Sequence, residues 1–241
     1  YWREIWKIIA LIIIIFLPLI IFFTVRDLTI DSRETDITEK INLKVRQWTR
    51  TEILKDYRFY IVVISMLAMP AIATGIFVNQ QFISDSKNWD NHVIPTLFMF
   101  YSVSSLLTLF LSGYLIDRFT SRKLLIFMNI PLLLAVIVII YFNHPITAFI
   151  FLGLIGISNG FANVLGSSTW AEIYGVKYIG SIKALTTALM VFATAFGTAL
   201  FGVMIDRGFS IEQIALISSI YISISLISLL LIRNKLNPTK I

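Results

Sequence analysis

Ser112 to Leu125 reads SGYLIDRFTSRKLL. The stretch follows one long apolar run and precedes another, yet one acid and three bases occupy the seven positions from Asp117 to Lys123. Charges crowded between two apolar runs mark a tight connection at a membrane surface, where water solvates the charges and hydrocarbon solvates the flanks. The rest of the chain decides which surface that is.

The chain of 241 residues is 57% hydrophobic and 14% charged, with mean hydropathy +0.84. Globular domains are about one quarter charged, so this composition points to an integral membrane protein. The formal net charge of +6 does not point to nucleic acid, because the bases are sorted by membrane side, as counted below. The absence of cysteine removes disulfides, thiolate nucleophiles and cysteine metal sites together. The two histidines, His92 and His144, are far apart and flank helices, so neither a metal site nor a cofactor is expected. The first apolar run is too long for a secretory signal and lacks a small-residue cleavage pattern. The sequence begins with Tyr1 rather than Met, which raises the expectation that a piece is missing upstream.

A helix needs about 20 mostly apolar residues to cross the hydrocarbon core. Seven segments qualify: Trp6–Phe23, Phe59–Gln80, Val93–Ile116, Leu124–Phe142, Thr147–Trp170, Ile182–Ile205 and Ile211–Ile232. The expected fold is therefore all-α, a polytopic membrane protein with seven transmembrane helices. Connections are short except for Thr24–Arg58, which is polar, charge-dense and free of Gly and Pro. Within it, Thr49–Phe59 reads as a helix lying on the membrane surface, with Ile53, Leu54 and Tyr57 on one face. Lysine and arginine counting gives the orientation. Thr24–Arg58 holds eight bases, the quoted loop three, the loop after Trp170 two (Lys177 and Lys183) and the C-terminal tail three, so sixteen of the twenty fall on one side. Only Arg3, Lys7, Lys87 and Arg207 fall on the other. The expectation is a multi-pass protein of the inner (cytoplasmic) membrane, with the quoted loop and the C-terminus in the cytoplasm.

Gly-x-x-x-Asp-Arg at Gly113–Arg118, followed by the Arg122–Lys123 pair, resembles the loop that joins the second and third helices of each six-helix half in the major facilitator superfamily. The departure is Thr120–Ser121, where that family usually has a Gly beside the basic pair. WREIW (Trp2–Trp6), opening an apolar helix that ends in Arg26–Asp27, looks like the family's sixth helix. TWAEIYGVKYIGSIKAL (Thr169–Leu185) resembles the junction of the tenth and eleventh helices in the branch of monocarboxylate and oxalate/formate-type carriers. The resemblance implies three parts: 1–27, equivalent to the sixth helix; 28–58, a cytoplasmic loop with a surface helix; and 59–241, the six-helix C-terminal half of the fold. It also implies secondary transport of a small solute by alternating access, in a chain that is a fragment of the carrier. A second Gly-x-x-x-Asp-Arg, Gly202–Arg207, ends the sixth apolar segment on the opposite side, as two inverted three-helix repeats would require.

Two sets of residues are candidates for function. Near mid-membrane, the polar residues available for a substrate are Asn79 and Gln80 at the end of the second segment and Tyr101 in the third. Asn159 and Asn163 follow in the fifth, and Thr187, with Thr186 and Thr194, in the sixth. An unpaired amide in hydrocarbon costs several kcal/mol, although glycine neighbours such as Gly156 and Gly160 also allow these residues to serve helix packing. At the cytoplasmic surface, Gly113, Asp117, Arg118, Arg122, Lys123 and Glu172 form the expected gating cluster. Asp117 and Glu172 both end helices, where the dipole disfavours an acid, so Asp117 is expected against Gly180–Ile182 and both acids near an arginine. No charge lies deep in any span, so a proton-coupling group would belong to the missing N-terminal half, and proton or ion coupling stays open. The oxalate/formate-type carriers hold a dianion with basic residues inside two helices, and the matching spans here offer only Lys183 at an end. The expected partners are a small-molecule substrate, the lipid bilayer and that N-terminal half, with no nucleic acid. The rival readings are a seven-helix receptor or retinal protein, for which the last span lacks a Schiff-base lysine, and an intramembrane enzyme, for which no buried histidine, lysine or carboxylate accompanies the serines.

Overall fold

The computed structural model describes residues 2–25, 46–90 and 92–237. Among them there is no strand, and seven helices are long and apolar enough to cross a membrane. The chain is an all-α polytopic membrane protein.

Two compact units divide it, 1–43 and 44–241. The first contains helix α1 (Trp2–Val25), apolar on all sides, with Pro18 inside it and a Lys7–Glu4 ion pair of 2.9 Å near its start. The polar stretch 26–45, with Arg26 and Asp27, lies outside the described residues. The second unit contains α2 (Arg50–Ile53), α3 (Tyr57–Val78), α4 (Gln80–Ser86), α5 (Val93–Phe119), α6 (Ser121–Tyr141), α7 (Ile146–Tyr174), α8 (Ile179–Asp206) and α9 (Ile211–Ile232), then a 3₁₀ turn, Arg233–Lys235. Most of the long helices run a few residues past the apolar segments. Hydropathy marks only the part in hydrocarbon, whereas the helix continues into the wet interface.

The expected surface helix over Thr49–Phe59 is not formed. One turn, Arg50–Ile53, is opened by a Thr49–Glu52 capping box, and the chain then breaks before Asp56, whose carboxylate accepts from the Arg58 backbone N–H at 3.0 Å and starts α3. Ile53 is buried rather than laid on a surface, in one cluster with Phe59, Trp170 and Tyr174. An N-cap aspartate competes locally with helix continuation, and here it wins.

The principal helix contacts are α5 with α7, α6 with α7, α3 with α8, and α9 with both α6 and α3. Exchanging the triplet α3, α5, α6 for α7, α8, α9 maps this set onto itself: α5–α7 becomes α8–α3, and α6–α7 becomes α9–α3. Both Gly-x-x-x-Asp-Arg sequences end the middle helix of their triplet. The two image contacts are also built alike, through glycine. A Cβ on Gly156 or Gly160 would lie 2.4 Å from the Tyr101 carbonyl oxygen or 2.6 Å from that of Ser105, and one on Gly197 would lie 2.3 Å from that of Ala71. Hydrocarbon gives helices no hydrophobic reason to associate, so such close backbone approach and interhelical hydrogen bonds supply the cohesion. Buried Asn129 donates to the Ser65 carbonyl (2.7 Å), Ser158 to the Met128 carbonyl (2.7 Å), and Tyr221 to the Ile64 carbonyl (2.6 Å).

Candidate functional site

Helices α3, α5, α6, α7 and α8 line an open cavity of about 330 Å³. Its wall is formed by Met66, Met69, Pro70, Ala73, Thr74 and Phe77 of α3, Tyr101 of α5, Met128 of α6, Asn159, Ala162 and Asn163 of α7, and Met190 and Thr194 of α8. Local chemistry shapes this wall. Pro70 cannot donate to the Met66 carbonyl, which removes one helix bond beside the cavity. Thr74 turns its hydroxyl back onto the Pro70 carbonyl at 2.5 Å. Tyr101 is fixed edge-on against Phe77, with ring centroids 5.1 Å apart.

The amides are partly engaged. Asn159 Nδ2 donates to Ser105 Oγ at 2.9 Å, which ties α7 to α5, and Asn163 Nδ2 donates to the Asn159 carbonyl at 3.0 Å. Both amide oxygens and the Tyr101 hydroxyl have no partner among the described residues, so three hydrogen-bonding groups stay available in one cavity. No lining residue carries a charge. Of the residues expected from the sequence, Tyr101, Asn159 and Asn163 meet here. Thr194 of α8 also reaches the wall, whereas Thr187 lies exposed on the same helix. Asn79 caps α3, its Nδ2 donating to the Gly75 carbonyl at 2.8 Å, and Gln80 opens α4 with a buried, unpartnered Oε1. Sequence reasoning missed Thr74 and the four methionines. Six methionines occur in the chain and four of them line this cavity, a concentration visible only once the helices are packed.

The charged cluster lies at one end of the bundle. Glu172, near the C-terminus of α7, accepts from the Ser121 backbone N–H (2.8 Å), the Ser121 hydroxyl, the Arg122 backbone N–H (3.3 Å) and Arg122 Nε. Its carboxylate thus leaves the negative end of α7 for the free amides and positive end of α6. Asp117 behaves differently from expectation. It is exposed and has no hydrogen bond or ion pair among the described residues, and Arg118 instead leans on Phe119. Two of the three amides expected to receive Asp117 are engaged locally, those of Ser181 and Ile182 donating to the Tyr178 carbonyl. Gly113 has open space where its Cβ would stand. Lys123 is exposed with no carboxylate partner among the described residues.

Next to this cluster, the end of the long connection is pinned down. The Trp48 amide donates to the Tyr174 carbonyl at 3.1 Å, Tyr174 donates to Asp56 at 3.1 Å, and Arg58 reaches both Asp56 (2.9 Å) and the Lys235 carbonyl (3.1 Å). Just outside the spans, Thr49's backbone N–H and hydroxyl, then Arg46, hold the Glu52 carboxyl well below its usual range, down to about 2. At the opposite end of the bundle Lys87, with a fully buried side chain, donates to Asn143 and Glu212, each at 2.7 Å.

Two described bases of the second unit, Lys87 and Arg207, lie at that opposite end, against eleven at the Glu172 end. A family model described as Major Facilitator Superfamily matches residues 61–240. No curated protein and no solved structure gives a match. The match runs from early α3 past α9 and takes in both inverted triplets and the cavity between them, and a chain matched over that much of its length belongs to the major facilitator superfamily, whose members are membrane transporters.

Proposed function

We propose that this chain carries a small solute across the cytoplasmic membrane by alternating access, with α3 and α5–α9 acting as the C-terminal half of the carrier and α1 as the equivalent of its sixth helix. The lysine and arginine distribution supports a cytoplasmic position for the Glu172 end and for the C-terminus. The observation that carries the proposal is the cavity holding Tyr101, Asn159 and Asn163 with unengaged polar atoms, walled by five helices drawn from both triplets. Facilitator-type carriers bind substrate near mid-membrane between structural repeats, and a cavity with three free hydrogen-bonding groups suits that task better than simple packing would.

The lining also bears on the substrate. An ion bound among Met66, Met69, Met128 and Met190 would lose its water without gaining a counter-charge, at a cost of several kcal/mol. Thioether side chains are flexible and polarizable, and they adapt to varied apolar shapes. The cavity therefore favours an uncharged solute with an apolar body and a hydrogen-bond donor for the asparagine oxygens, and it disfavours an oxalate-like dianion. In this reading Glu172 and Arg122 act as the cytoplasmic latch. A partly exposed pair of this kind contributes about 1 kcal/mol or less, sufficient to bias two states of similar energy.

The test is uptake by cells expressing this chain within the whole carrier, N-terminal half included, measured over a panel of small carboxylates and neutral metabolites. We expect accumulation of at least one neutral solute, lost in Asn159→Leu and in Asn163→Leu at unchanged membrane abundance. Uptake that survives both substitutions removes this cavity as the substrate site.

A further inference from the structure

A larger cavity, about 810 Å³, opens beside the Glu172 end of the bundle and is unrelated to the one above. Its wall is apolar: Phe119 of α5, Ile126, Phe127 and Ile130 of α6, Phe161 of α7 and Leu230 of α9 all face it. At its rim stand Lys123 and Arg233. The same two side chains also line an adjoining polar cavity of about 360 Å³, completed by Thr120, Arg122, Asn234 and Asn237. Neither lining contains a carboxylate. Arg122 is committed to Glu172, whereas Lys123 and Arg233 have no carboxylate partner among the described residues.

Dimensions and charge together select the occupant. From Lys123 to Pro131 the crevice follows α6 for eight residues, a descent of about 12 Å at the helical rise. One leaflet contributes about 15 Å of hydrocarbon. An apolar crevice of nearly leaflet depth, topped at its wet end by two unpaired cations and hydrogen-bond donors, has the form of an amphiphile with an acidic head. Basic pockets between transmembrane helices at the cytoplasmic face suit such headgroups. A free phosphate would need only the polar cavity and would leave the crevice unexplained. We propose that an anionic phospholipid of the adjacent leaflet binds here, its phosphate between Lys123 and Arg233 and one acyl chain in the crevice among α5, α6, α7 and α9. The bound lipid would brace the α5–α6 turn against the end of α9, two segments otherwise joined through Arg122 donating to the Leu236 carbonyl.

Native mass spectrometry of the purified full chain in detergent tests this, by titration with dioleoyl phosphatidylglycerol and dioleoyl phosphatidylcholine. Two cations near the surface should favour the anionic lipid by about thirty-fold. Lys123→Gln with Arg233→Gln should reduce that preference to less than about two-fold, and each single substitution should lower it part-way if the pair proves unstable. Lys177→Gln with Lys183→Gln, at the same end but outside both cavities, should leave it intact. Ile130→Trp, which fills the crevice, should weaken both lipids and keep the preference. Equal binding of the two lipids overturns the proposal. So does a preference that survives the Lys123/Arg233 pair, or one lost equally in the Lys177/Lys183 pair, which would mean diffuse charge. Displacement of the lipid by millimolar inorganic phosphate, with Ile130→Trp without effect, would mean a free-phosphate site and also overturns it.

Discussion

Gly156→Ala against Gly153→Ala tests how the α5–α7 contact is built. A Cβ at Gly156 would stand 2.2 Å from Ser104 Oγ and 2.4 Å from the Tyr101 carbonyl oxygen. The serine hydroxyl can rotate away, but the carbonyl belongs to the α5 backbone and cannot. Ordinary carbon–oxygen contact begins at about 3.3 Å, so the two helices must part by about 1 Å. That movement also loosens the approach at Gly160 and the Asn159–Ser105 hydrogen bond. Overpacking of this kind costs about 1–3 kcal/mol, offset by about 1 kcal/mol for replacing glycine by alanine inside a helix. At Gly153, three residues earlier on the same helix, nothing lies within 4 Å of the new Cβ, so only the propensity gain remains. The two variants should therefore differ by about 1–3 kcal/mol in opposite senses, Gly153→Ala melting above the parent and Gly156→Ala below it. Thermal unfolding of the purified chain in detergent reads this directly. Equal melting temperatures for the two variants would refute the claim that backbone contact at Gly156 holds α5 to α7.

Thr120 is a β-branched residue at φ +76°, a conformation that costs about 1–3 kcal/mol away from glycine. Thr120→Gly should raise thermal stability by about 1–2 kcal/mol after glycine's added unfolded-state entropy is subtracted, and a fall would show that the turn is not strained. The Thr49 hydrogen bonds, then Arg46, hold the Glu52 carboxyl down to about 2 from its ordinary 4.5, so the stability it lends the Thr49–Glu52 cap is full above pH 4.5 and is lost as the pH falls toward 2. Tryptophan fluorescence should show an acid transition in that window, through nearby Trp48, that Glu52→Gln removes; a transition unchanged in the variant would discount the cap. Glu212→Gln strips the fully buried Lys87 of its counter-charge while leaving Asn143 in place, and it should cost about 1–3 kcal/mol in a thermal melt, whereas an unaltered melt would mean that Asn143 suffices.

Hydropathy carried the seven spans, because it depends on composition along the chain and not on which face packs. Helix faces were a different matter. Met66, Met69, Met128 and Met190 sit in spans apolar on every side, where no 3.6-residue contrast marks the inward face. Tyr101, Asn159 and Asn163 were legible because polar groups in hydrocarbon have few reasons to be there. The Thr49–Phe59 surface helix was misread through the spacing of Ile53, Leu54 and Tyr57. Aspartate directly before the apolar run, at Asp56, is a helix-start signal that would have located the break. Glu172 and Asp117 share the same dipole argument, yet only Glu172 found a helix N-terminus, because sequence shows that an acid needs a partner but not which amides remain unoccupied.

The central claim is that the Tyr101–Asn159–Asn163 cavity opens alternately to the two sides of the membrane. With no cysteine in the sequence, Asn163→Cys introduces the sole thiol of this chain, and a membrane-impermeant maleimide can be applied to sealed vesicles of either orientation. The account predicts labelling from both sides, with the cytoplasmic share rising when Arg122→Gln breaks the latch to Glu172. Labelling from one side only, or from neither while exposed Ser181→Cys still reacts, would contradict it.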